Sequence, residues 1–87
     1  LAELMVFYCE QATGSSAEFG LDDEAYYGAL VRMFEQALTS VAALPEPQRA
    51  TFLERLDVVR AMGQNVGWGV GEEFDALWRR AGLEIDG

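Results

Sequence analysis

The longest helical rhythm in the chain lies between Asp22 and Leu44, where Tyr26, Leu30, Met33, Phe34, Ala37, Leu38 and Val41 recur at spacings of three and four. That spacing gathers apolar side chains on one face of an α-helix. Tyr27 and Val31 widen the stripe, so this helix is expected to have neighbours on more than one side. Asp22 or Asp23 is the expected N-cap, with further acid in the first turn, where the helix dipole favours negative charge. Pro45 and Pro47 end the segment, because a residue before proline is pushed out of the helical region.

The other segments read as helices packed around this one. In residues 1–13, Leu1, Leu4, Met5, Tyr8 and Ala12 share one face, flanked by Phe7 and Cys9, and Gly14 is the expected stop. Ser15 and Glu18 have the spacing of a capping box, which predicts one isolated turn before Gly20. Phe19 and Leu21 bracket that glycine and are expected to anchor the connection. Pro47 suits the opening of a third helix, with Phe52, Leu53, Leu56, Val59, Met62 and Val66 as its stripe and Asp57 pairing with Arg60. Gly63 either ends it or lets another backbone pass close, with the end expected between residues 62 and 66.

The stretch GWGVG, Gly67 to Gly71, is the most distinctive in the chain. After it, Phe74, Leu77, Trp78 and Ala81 predict a short fourth helix, with Asp75 and Arg79 in favourable i,i+4 order. Arg79 and Arg80 complement the dipole at its end, Gly82 is the stop, and LEIDG reads as a tail. The expected fold is all-α: a single helical domain over residues 1–87, built as a small bundle of about four helices. It is either up-and-down or two stacked helical hairpins, and short connections favour the first. The chain opens at Leu1 already in a helical pattern, which suggests a segment of something longer.

Composition narrows the partners. Fifteen acids, six arginines and no lysine or histidine leave a net charge of −9, which repels phosphate backbones and argues against nucleic acid and anionic membranes. Arginine without lysine points to a GC-rich bacterial genome. Cys9 is the single cysteine, so no internal disulfide can form and a reducing, cytoplasmic location is expected. No apolar run approaches the roughly 20 residues that cross a bilayer, and no basic segment resembling a secretory leader is present.

Candidate chemistry is sparse. Asp22, Asp23 and Glu24 with Glu72, Glu73 and Asp75 could hold a hard cation if they converged, yet capping and the dipole already account for both clusters. One Cys and no His cannot make the usual zinc site. GWGVG lacks the preceding strand and following Lys-Ser/Thr of a phosphate loop, and reads as a connector tucking Trp68 against the core. Cys9 has no His to activate it. No cofactor is expected, and no catalytic residue stands out.

The leading expectation is therefore a non-enzymatic interaction module, binding another protein or a second copy of itself as a homodimer. Its apolar content, 51% of residues, exceeds what four short helices can bury. Phe7, Tyr27, Trp68 and Trp78 are the candidate anchors. The alternative is a small-ligand binder or minor enzyme, its pocket between the second, third and fourth helices lined by Tyr26, Met33, Met62 and Trp68. A third reading is a helical piece that completes a longer chain's fold.

Overall fold

The computed structural model of the chain describes residues 1–19 and 23–83. Among them run four helices: α1 (Ala2–Phe19), α2 (Glu24–Ala42), α3 (Gln48–Gly63) and α4 (Val70–Arg80). Gly20, Leu21, Asp22 and the tail after Leu83 lie outside the described residues, as does the Phe19 side chain. The expected anchoring by Phe19 and Leu21, and Asp22 as a cap or cation ligand, therefore fall outside them too.

Helix α2 begins as its sequence implies. Asp23 is extended, and its carboxylate accepts from the backbone N–H of Ala25 at 3.0 Å and of Tyr26 at 3.3 Å. Two orphan donors of the first turn are thereby satisfied. At the other end of the fold, Gly82 adopts φ +80° beyond α4, donating to the Arg79 carbonyl at 2.9 Å. That left-handed turn is the glycine stop expected there.

Helix α1 departs from expectation twice. It does not stop at Gly14 but continues to Phe19, so Ser15 and Glu18 stand inside it rather than capping a separate turn. Ser16 Oγ donates back to the Ala12 carbonyl at 3.1 Å, and Thr13 and Ser16 are buried against the bundle. Tertiary burial outweighs the roughly 1 kcal/mol by which glycine disfavours a helix interior. The helix is also turned away from the expected stripe. Ala2, Val6, Cys9, Thr13 and Ser16 face inward, while Leu1, Leu4, Phe7 and Tyr8 face out. Small inward side chains let α1 lie close to its neighbours, since interaxial distance follows the side chains at the contact.

Helices α2 and α3 form the central pair, and each touches every other helix; α1 and α4 pack against this pair and, among the described residues, not against each other. The packing order is thus a ring α1–α2–α4–α3, with α2 and α3 also touching across it. In its core Phe34 of α2 stacks on Phe74 of α4, ring centroids 4.2 Å apart, with Trp78 beyond at 6.5 Å. Leu30, Val41, Leu56, Val59 and Val70 complete this layer. Of the adjacent tyrosines, Tyr27 is buried and Tyr26 half-buried, the reverse of the stripe read from spacing. Tyr26 instead donates its hydroxyl to the Ala12 carbonyl at 3.0 Å, tying α2 to α1.

Gly63 both ends α3 and permits a close approach. A Cβ there would sit 2.6 Å from the Phe74 ring and 3.4 Å from Gly71 Cα, and one on Gly71 would sit 2.9 Å from Gln64 Cα. Two glycines thus let the end of α3 cross the start of α4 in backbone contact.

Candidate functional site

The outer face of α1 is the largest departure from an ordinary solvated helix. Leu4, Phe7 and Tyr8 are 49%, 46% and 54% exposed, and Leu1 is fully so. Phe7 and Tyr8 lie side by side, ring centroids 5.9 Å apart. Next to them a groove of about 480 Å³ runs between α1 and α2, walled by Met5, Tyr8, Ala12 and Met33, with Gln11 and Gln36 at its edge. No charged side chain lines it, in a chain where 24% of residues are charged.

A second candidate lies where α3 turns into α4. Gly67, Trp68 and Gly69 adopt φ of +103°, +54° and +74°. Such values suit glycine and strain a bulky residue. The turn holds Trp68 58% exposed, its ring 6.3 Å from that of Tyr27. The indole is thus not tucked into the core as the connector reading expects. Beneath it lies a groove of about 350 Å³, with Tyr27, Gly28 and Arg32 of α2 on one side and Val70 and Glu73 of α4 on the other.

The four anchors chosen from sequence separate into two kinds. Phe7 and Trp68 are exposed; Tyr27 and Trp78 are core residues, 2% and 4% exposed. The pocket expected from Tyr26, Met33, Met62 and Trp68 is not gathered into one cavity. Met33 faces the groove beside α1, and Trp68 the groove between α2 and α4. Leu4 and Tyr8 were missed as surface residues. Their signal was the weaker rhythm Ala2, Val6, Cys9, Thr13, Ser16, a complete helical face that competes with the more apolar one.

No family model, curated protein or solved structure matches the chain.

Charged groups mostly serve the scaffold. Arg55 of α3 forks onto Glu10 of α1, with its Nε 3.0 Å from the carboxylate, and lies over the Phe52 ring. This hydrogen-bonded carboxylate raises the Arg55 pKa above its ordinary value. Arg60 bonds Asp57, as its spacing implies, and also Asp75 of α4 at 3.0 Å. Asp75 therefore pairs with Arg60 and with Gln64 rather than with Arg79. Arg60 is the better-placed partner because its guanidinium packs near the Trp78 ring and is only 12% exposed.

Cys9 is fully buried, and burial pushes its thiol up to about 12; the Glu10 charge adds to the rise and the Thr13 hydroxyl opposes it. A thiol held protonated in this way is a packing group, not a nucleophile. Among the described residues no three acids or cysteines stand together as a metal site, and no helix is long and apolar enough to cross a membrane.

Proposed function

We propose that the chain is a helical interaction module that self-associates through the outer face of α1 and the adjoining α1–α2 groove. The observation that carries this reading is the exposed apolar set Leu1, Leu4, Phe7 and Tyr8, with Glu3 and Arg55 at its border, beside a groove that no charged side chain lines, on a body of net charge −9. Two like-charged copies repel over most approaches, and a surface poor in net charge is where they meet at least electrostatic cost. Symmetric dimers use one patch twice, so no second complementary surface is needed.

Size constrains the contact. A helix of 18 residues is roughly 27 Å long, and a stripe about 10 Å wide along it falls well short of the roughly 800 Å² per partner that a stable interface buries. The contact therefore extends over the groove to Met33 and Gln36 of α2. Light scattering after size exclusion, at several concentrations, tests the reading. A dimeric mass that reverts to monomer in Phe7→Glu and Tyr8→Glu supports it. A monomer at every concentration refutes self-association and leaves the face for a different protein.

A further inference from the structure

The groove below Trp68 is separate from the α1 face and raises a different question. Three features meet there. Trp68 stands on a left-handed turn, more than half exposed, with its ring 6.3 Å from that of Tyr27. The glycines flanking it have no neighbour within 4 Å of an added Cβ, so the left-handed turn, not packing, requires them. The whole turn presents one indole to the groove.

Arg32 is the second feature. Arg49, Arg55 and Arg60 each enter an ion pair, and Arg79 and Arg80 sit where the end of α4 attracts cations. Arg32 lies in the middle of α2 and enters none of the ion pairs among the described residues, although the chain holds fifteen acids. Its guanidinium lies beside Gly28, 3.8 Å from where a Cβ would stand, an ordinary contact distance. The third feature is that Glu24 and Glu73 line the same groove from two helices. One cation, two carboxylates and two aromatic rings thus line one open groove of about 350 Å³.

We propose that this groove binds a small zwitterion of the α-amino-acid type with a planar apolar side chain. Arg32 takes the carboxylate through its fork of N–H donors. Glu24 and Glu73 take the ammonium, and the apolar ring stacks on Trp68 beside Tyr27. A simple anion would meet the two glutamates, and a simple cation would meet Arg32. A ligand carrying both charges satisfies all three groups.

The test uses the whole chain and two resolved indole N–H resonances, with buried Trp78 as the internal reference. L-phenylalanine is titrated as the probe, alongside phenethylamine, which lacks the carboxylate, and 3-phenylpropionate, which lacks the ammonium. The expected result is a saturable shift at Trp68 with a Kd of about 1 mM or tighter, no shift at Trp78, and about tenfold weaker binding of both analogues. Arg32→Gln, at an exposed position, should abolish the advantage of phenylalanine over phenethylamine while leaving the Trp78 resonance in place. Phenethylamine or 3-phenylpropionate binding as tightly as phenylalanine overturns the proposal, as does the absence of any Trp68 shift. Neither result bears on self-association, which is read from mass alone.

Discussion

One substitution made at two glycines should have opposite consequences. Gly14 lies inside α1, with nothing within 4 Å of an added Cβ and no left-handed backbone to strain. Gly14→Ala should therefore gain most of the difference in helix propensity, about 0.5–1 kcal/mol. Gly63 ends α3, where propensity counts for less. A Cβ there would lie 2.6 Å and 3.1 Å from two carbons of the Phe74 ring, inside the roughly 3.5–4.0 Å of an ordinary carbon contact. The ring cannot retreat, because Phe74 is fully buried and stacked 4.2 Å from Phe34. Overpacking of this kind costs about 1–3 kcal/mol.

The two variants should then differ by about 1.5–4 kcal/mol. Urea unfolding followed by far-ultraviolet circular dichroism, at one fixed protein concentration, reads both. On heating, each kcal/mol corresponds to about 4–8 °C in Tm for a domain of this size. A destabilised Gly14→Ala would mean that residue 14 is a left-handed helix stop after all, and that α1 is two pieces. A stabilised Gly63→Ala would mean that α3 and α4 do not cross in contact.

Two further outcomes follow from buried groups. The Cys9 thiol is raised from 9.0 to about 12, so its contribution is fully present below the lower value and is lost as pH climbs from one to the other. The stability difference between the parent and Cys9→Ala should shrink across that window in denaturant titrations, and a constant difference would count against a buried thiol. Arg60→Ala removes a guanidinium bonded to Asp57 and Asp75 and packed near Trp78, and should cost about 1–3 kcal/mol. Arg49→Ala, whose partner Glu46 is exposed, should change the same unfolding midpoint by about 0.5 kcal/mol or less. Equal effects would show that Arg60 does not bridge α3 and α4.

Local chemistry was the readable part of this chain. Asp23 caps α2 and Gly82 stops α4 because each feature is decided by hydrogen bonds within a few residues. The stripe of Leu30, Phe34, Ala37, Leu38 and Val41 was readable because no other face of α2 competes with it. What failed was the choice between alternatives that are nearly equal locally. Tyr26 and Tyr27 are adjacent, about 100° apart around the helix, and only the position of α1 decides which is buried. Asp75 has Arg79 one turn away, but Arg60, fifteen residues earlier in sequence, is the partner in space. Phe7 and Trp68 kept their exposure while Tyr27 and Trp78 lost theirs to the core, a sorting that spacing alone does not perform.

The orientation of α1 could be a purely geometric result, with small residues turned inward because the helix must lie close to α2 and α3. That explains the burial of Ala2, Cys9, Thr13 and Ser16. It does not explain what stands on the other side. Helix α4 provides the comparison within the same chain: its exposed positions are Glu72, Glu73, Arg79 and Arg80, and its apolar residues are inside. Helix α1 faces water with Leu4, Phe7 and Tyr8, each about half exposed. Apolar surface left in water forgoes about 25 cal/mol for every Å² not buried. A close fit needs small residues inward, but not large apolar ones outward. The outward set is thus independent of the packing requirement, and it supports the proposed contact beyond the bundle.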